Sequence, residues 1–281
     1  KNSKHVILAG DDDQAIYGWA GADVQRFQDE PAKNIILPQS YRVPQAVQQI
    51  ADQILNRIPD NRRIKKQWAS RPEGGSVDHV TSIEDVPLYE GDWLILARTN
   101  DKLIKLKSIL QEMAIYFEIK GRKSYKTRLY TAVKHYTRWT KGDKLSLSEC
   151  KDLFEYLELD QELKEERMYD LQEFGYKTTD EWYEVFKSDP EECLYIREML
   201  RNKEELSHPA RVKLSTIHAA KGGEATNVLI ILDNTKKIRE AVDKSEDKQD
   251  EEHRVWYVGV TRTKQNLYIM TPKREDRSYD I

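Results

Sequence analysis

Cysteine is scarce in this 281-residue chain: Cys150 and Cys193 are the only two, far apart and with no Cys-x-x-Cys. That pattern indicates no disulfide framework, six histidines without zinc-ligand spacing indicate no structural metal, and both thiols are expected to be buried and free. No apolar run reaches the roughly 18 residues that would span a membrane. Residues Lys1 to Leu8 lack the basic, apolar and small-residue regions of a secretory signal, and the chain reads as cytoplasmic. Only 12 glycines occur and none precedes a lysine, which excludes a GxxxxGK(S/T) phosphate cradle within the sequence. A net charge of −3, taken as an average, speaks against a nucleic-acid partner, because phosphates demand cationic surface.

What the chain does have is charge, unevenly spread. Charged residues make up 34%, against about 25% in an ordinary globular domain, so the surface is heavily charged. Between Arg98 and Thr140 eleven Lys and Arg face three Asp and Glu, a net of +8; between Lys141 and Leu206 ten face twenty, a net of −10. This asymmetry suits a nucleic-acid groove beside a solvated helical module, and equally two exposed faces of opposite sign. At roughly 150 residues per domain, the length predicts about two domains.

Short runs rich in Val, Ile and Leu read as strands: His5–Ala9, Asn34–Leu37, Trp93–Ala97, Ile115–Ile119, Val212–Thr216, Val228–Leu232 and Asn266–Met270. Several are continuous rather than alternating, as in parallel strands covered on both faces. Helical patterns lie between them, at Pro44–Arg57 with Val47, Ile50, Ile54 and Leu55 on one face, and at Asp101–Met113 with Leu103, Leu106, Ile109 and Leu110. The alternation predicts an α/β fold with a doubly wound parallel sheet, in which ligands gather at the C-terminal ends of strands. Tyr125–Leu206 breaks the rhythm with helical periodicity throughout, and reads as an all-α insertion. Asp243–Glu252, acidic and turn-like, reads as a mobile loop.

Four stretches could carry chemistry. Val6 to Asp23 runs from an apolar strand into Gly10 and three carboxylates, Asp11, Asp12 and Asp13, and resembles a magnesium site without its phosphate cradle. Leu37 to Pro44 holds Arg42 beside Tyr41; a guanidinium suits phosphate and an aromatic face suits a base, although Arg42 alone serves equally in a surface salt bridge. Leu214 to Glu224 runs from a strand into small residues and Lys-Gly-Gly-Glu, where a backbone can approach a ligand closely. Glu251 to Lys264 is a helix pattern that keeps Gly259 and carries Arg254 and Arg262.

In this order the stretches resemble the UvrD/Rep family of superfamily 1 DNA helicases. GDDDQAIYGWAGAD, QSYR, TIHAAKGGE and YVGVTR look like motifs III, IV, V and VI, and LILARTN matches a weaker family segment. The resemblance implies RecA-like domains with ATP held between two of them and DNA crossing both. It implies that Gln14 senses the γ-phosphate, that Arg42 reaches it, and that Arg262 is the arginine finger, supplying charge where the transferred phosphoryl becomes more anionic. Tyr41 would stack on adenine, and Gly222 and Glu224 would belong to the nucleotide site, with Glu224 accepting a hydrogen bond from the ribose. Tyr17, Trp19, Asn100, Thr216 and His218 would contact DNA. Trp19 would serve as a platform indifferent to base identity, the alternative for that side chain being a place in the core. Lys221, Tyr257 and Arg254 are family-like but fit packing or salt bridges as readily.

Two positions depart from the family pattern. Ala20 stands where an arginine usually follows the motif III tryptophan, and Gly223 replaces the leucine of Lys-Gly-Leu-Glu. The Walker A lysine and the motif II acidic pair are absent, which by the resemblance places them upstream of Lys1. On that basis residues 1–30 are expected to close a first RecA-like domain, 31–122 with 207–281 to form a second, and 123–206 to form a reduced accessory insertion. The expected function is the C-terminal motor half of an ATP-dependent helicase or translocase, moving 3′ to 5′ on single-stranded DNA. ATP and Mg2+ would be cofactors and the N-terminal RecA-like domain a partner, with no membrane partner; without that domain the chain is expected to be inactive. Two other readings stand beside it. One is a degenerate, non-catalytic module binding nucleic acid or protein. The other is a magnesium-dependent phosphotransferase or nuclease built on Asp11, Asp12 and Asp13.

Overall fold

A computed structural model describes residues 7–21, 23–31, 33, 35–157, 163, 166–176, 179–272 and 275–281. They fall into two compact units, one formed by the described residues up to Leu106 with Arg211–Ile281, the other by Lys107–Ala210. Within the first unit, 3-10 turns at Asp12–Gln14 and Gly18–Ala20 precede α1 (Val24–Gln28), β1 (Gln39–Pro44), α2 (Gln45–Leu55), β2 (Ala69–Arg71), β3 (Ser76–Val80) and β4 (Trp93–Ala97). Helix α3 (Asn100–Glu112) carries the chain across the boundary. The second unit holds β5 (Phe117–Ile119), β6 (Arg122–Lys123), α4 (Thr127–Thr140), α5 (Leu147–Leu157), α6 (Trp182–Val185) and α7 (Pro190–Arg201). The first unit resumes with β7 (Val212–Thr216), β8 (Ala225–Ile231), α8 (Lys236–Val242), α9 (Glu246–Val260) and β9 (Thr263–Met270).

Strands β3, β9, β8, β4 and β7 lie side by side in that order, all parallel. Every residue of β4 is buried, as a strand covered on both faces requires. Its neighbour β8 is nearly so, with Asn227 and Val228 to Ile231 inside. On α2, Val47, Ala51, Ile54 and Leu55 form the buried stripe, and they join Leu96, Val228, Ile230, Trp256 and Leu267 in one core. The parallel α/β architecture read from the sequence is the one observed.

Helix α9 is unusual in being buried on nearly all sides from Asp250 onward. Its charged residues therefore need partners. Asp250 pairs with Arg62, Glu252 with Arg98 and the Trp256 indole, and His253 Nδ1 with the Tyr279 hydroxyl at 2.7 Å. A Cβ on Gly259 would lie 2.6 Å from Ile230 Cδ1, so the absence of a side chain lets α9 rest directly on β8.

The second unit has its own core, built from Leu129, Val133, Tyr136 and Trp139 of α4, Leu153 of α5, and Ile196 and Met199 of α7. Both cysteines sit in it, buried and unpaired as expected. Asp189 caps α7, accepting from Glu191 N at 3.1 Å, with Pro190 in the first turn, where its missing N–H costs nothing. Among the described residues no helix is long and apolar enough to cross a membrane.

The structure departs from the sequence reading in three places. The acidic stretch at Asp243–Glu252 is largely helix: Ser245 caps α9, Glu246 and Asp247 face its positive end, and Arg62 gathers Glu246 and Asp250. His5, Val6 and Asn34 lie outside the described residues, and Ile7–Ala9 and Ile35–Leu37 are not strands. Ile7 and Leu37 stay exposed, and β1 begins two residues after Leu37 instead. Strand β3 has no apolar run to announce it, because at the sheet edge it leaves polar Asp78 and His79 exposed.

Candidate functional site

The first motif folds around Asp11. Its carboxylate caps the Asp12–Gln14 turn, accepting from Asp13 N at 3.2 Å, while Oδ2 accepts from Gln14 Nε2 at 2.7 Å. Two cations from the segment after α2 close on the same carboxylates. Lys66 Nζ lies 2.6 Å from Asp11 Oδ1 and 3.1 Å from Asp13 Oδ2 and also touches Asp12, while Arg63 Nε meets Asp13 Oδ1 at 2.8 Å. Burial would raise Asp12, but the hydrogen bond and charge of Lys66 outweigh it and hold the carboxyl low. Lys66 is likewise disfavoured by burial yet kept above its ordinary value by Asp11 and Asp13.

The three carboxylates gather within 4.8 Å of one another. Their negative charge is already matched by an ammonium and a guanidinium. That donor set does not fit a Mg2+ ion, and the reading of Asp11, Asp12 and Asp13 as a phosphotransferase or nuclease centre loses its basis.

Gln14 brings the distant motifs together. Its Oε1 accepts from Arg262 Nη2 at 3.4 Å, and its carbonyl accepts from Lys221 Nζ at 2.7 Å. Arg262 is buried and fixed by two further carbonyls, Val258 O at 2.9 Å and Gly223 O at 3.3 Å. Glu224 lies next in sequence to Gly223, bound by Lys264 at 2.8 Å and facing Arg42 at 3.7 Å. The hydrogen bond from Lys264, with Arg42 nearby, holds the Glu224 carboxyl below its usual range. Gly222 adopts φ +88°, a left-handed conformation that side chains resist, and so turns the chain from Lys221 into Glu224.

Arg42 and Arg262 are close enough to repel. Burial, then the charge of Arg42, pulls the pKa of Arg262 down to about 10, still protonated at neutral pH. The buried Nε of Arg42 finds no hydrogen-bond partner among the described residues. The unpartnered donor of Arg42, with a second guanidinium nearby, fits an incoming polyanion such as a nucleotide triphosphate. Tyr41, next to Arg42, exposes 86% of its surface. Glu224 and Arg262 stand just before β8 and β9 begin, so this cluster lies at N-terminal strand ends rather than the C-terminal ends that the doubly wound pattern favours.

A second group surrounds Tyr17. Its hydroxyl donates to His218 O at 2.7 Å, and its ring meets Trp19 at 6.0 Å and His218 at 5.9 Å, both edge-on, with Lys221 over its face at 5.2 Å. Trp19 is 71% exposed, so it is not the core residue that its size allows. Burial, then Arg98, lowers the pKa of His218, which stays neutral at pH 7. Thr216 ends β7, its hydroxyl accepting from Ala219 N at 3.2 Å. Register places it opposite Ala97 of β4, three residues before Asn100 at the head of α3.

The structure thus joins Gln14, Arg42, Arg262 and Glu224 in one cluster and Tyr17, Trp19 and His218 in another. Lys221 touches Gln14 and Tyr17 together, and Arg254 donates to Arg62 O at 3.1 Å. Sequence reasoning missed Arg63, Lys66 and Lys264. Arg63 and Lys66 sit in RRIKKQ, a basic run that carries no periodic signal and reads as solvated surface.

Fold and site together define an α/β protein of the RecA-like class. The chain belongs to the UvrD-like helicase C-terminal domain family, whose profile matches residues 95–274. It is similar to the ATP-dependent DNA helicase PcrA of Staphylococcus epidermidis, 31% identical over 87 residues that cover 29% of this chain and 12% of that protein. The PcrA of Staphylococcus aureus is 30% identical over 87 residues with the same coverage. The PcrA of Leuconostoc citreum is 26% identical over 152 residues, covering 46% of this chain and 20% of that protein. The chain therefore spans a minor part of the relatives it matches.

Proposed function

We propose that this chain forms the second motor half of an ATP-dependent DNA helicase or translocase that moves 3′ to 5′ on single-stranded DNA. The observation that carries the reading is the orphaned buried Nε of Arg42, which faces Glu224 and whose charge opposes that of Arg262, itself hydrogen-bonded to Gln14. A triphosphate would relieve that repulsion. In this reading Arg262 supplies charge to the phosphoryl group in flight, Arg42 holds the γ-phosphate, and Gln14 reports its presence. Tyr41 stacks on the adenine, and Glu224, turned by Gly222, accepts from the ribose.

The cradle for the triphosphate and the ligands of Mg2+ belong to a first RecA-like domain, as in the family. Residues 1–30 belong to the end of that domain, residues 31–122 and 207–281 to the second, and residues 123–206 to the accessory insertion. Tyr17, Trp19, Asn100, Thr216 and His218 line the path of the DNA. Names of the relatives, ATP-dependent DNA helicases, agree with both ligands.

The test is ATP turnover, with and without single-stranded DNA, by the full-length protein. Hydrolysis stimulated by DNA and abolished in Arg262→Ala, with oligonucleotide binding retained, is the expected result. No turnover in the wild type, with oligonucleotide binding intact, would establish the degenerate binding module instead.

A further inference from the structure

Gln14 can work as a sensor only if its amide points the right way, and its neighbours determine that orientation. A carboxylate only accepts and a guanidinium only donates, so Asp11 takes the NH2 and Arg262 the carbonyl oxygen. Asp11 is free to choose neither oxygen nor rotamer. Its Oδ1 is occupied by Lys66 at 2.6 Å and by Asp13 N at 3.2 Å, which leaves Oδ2 for Gln14 at 2.7 Å. Arg63 holds Asp13 from the far side, and Gln28 donates to Asp12 Oδ2 at 2.7 Å. Lys66 therefore sits at the centre of three carboxylates and touches each, two bonds away from the amide that meets the arginine.

Resting on the motor reading above, we infer that Lys66, braced by Arg63, is a positioning residue for hydrolysis: through Asp11 it sets the direction of the Gln14 amide toward Arg262. The alternative for such an ion cluster is a purely structural one, holding the 11–14 turn to the segment after α2. The two differ in what they couple to. A brace affects stability wherever it is cut, whereas a positioning residue loses its effect once Gln14 is gone.

Turnover by the full-length protein separates them. Lys66→Met is expected to lower kcat about tenfold or more while KM for ATP moves less than about threefold, and Lys66→Arg to recover most of the loss. Gln14→Ala is expected to lower kcat similarly, and the double variant to be no worse than the poorer single one. Losses that multiply, or a Lys66→Met enzyme with unchanged kcat, would overturn the inference. Should Lys66→Met not fold, Lys66→Gln, which removes the same charge while keeping a polar side chain, carries the same expectations.

A second measurement does not depend on turnover. In this chain, labelled on glutamine, the Gln14 side-chain amide signals should shift in Lys66→Met and return in Lys66→Arg. Signals that stay put in Lys66→Met would overturn the inference even if the protein hydrolyses ATP. A wild type without turnover whose Gln14 signals respond would overturn the motor reading and leave the orientation by Lys66 standing.

Discussion

Nη2 of Arg262 stands 3.4 Å from Oε1 of Gln14, across 248 residues of sequence. The contact ties the end of α9 to the turn at Asp12–Gln14, and the same turn leads within five residues to the exposed Trp19. A change of charge at Arg262 therefore has a short covalent and hydrogen-bonded route to the aromatic cluster at Tyr17.

On the proposed function, Arg262→Ala should lower DNA-stimulated ATP turnover by about 10³-fold or more, the scale of a lost arginine finger. Arg262→Lys should recover little, because a single ammonium cannot meet Val258 O, Gly223 O and Gln14 Oε1 together. Steady-state kinetics on the full-length protein decides this. Its guanidinium has a pKa of about 10, so no loss of activity traceable to its deprotonation should occur below pH 9.

Trp19→Ala should weaken binding of a single-stranded oligonucleotide by about 1–3 kcal/mol, the worth of one stacked base. The slope of affinity against salt should not change, since that slope counts phosphate contacts rather than stacking. Anisotropy titrations at several salt concentrations measure both quantities.

His253 gives the fold an acid limit. Burial, and then the nearby Arg57, hold its pKa down at about 4, while the unfolded chain protonates near 6.5. Its contribution is complete above pH 6.5 and is lost as pH falls toward 4, by up to about 3 kcal/mol. Urea midpoints followed between pH 7 and 4 should fall less steeply in His253→Gln than in the wild type. A residual slope should remain, because burial also lowers His218 and His135.

Gly259→Val should destabilise the first unit by about 1–3 kcal/mol, because the new side chain meets Ile230 Cδ1 and Ile217 Cδ1 in a filled core. Gly259→Ala should cost less, and denaturant unfolding of both variants ranks them.

Trp93–Ala97 was readable as a buried strand to the residue, because burial on both faces leaves a continuous apolar run. Arg262, Gln14 and Arg42 were readable only as members of motifs; their convergence depends on tertiary contacts that no local pattern encodes. Helix α9 shows the opposite failure. Its acidic beginning reads as solvent-seeking, and nothing nearby in sequence announces that Arg62 and Arg98, roughly 190 and 150 residues earlier, will neutralise it. Lys66 was missed for the same reason, its three carboxylate partners being more than 50 residues upstream.

The confinement of Cys150 and Cys193 to the core of the second unit makes that unit self-reporting. The other unit contains no thiol at all. An alkylating reagent applied to the native protein therefore registers the opening of the second unit alone and is blind to the other, so that opening can be timed by itself with no engineered label.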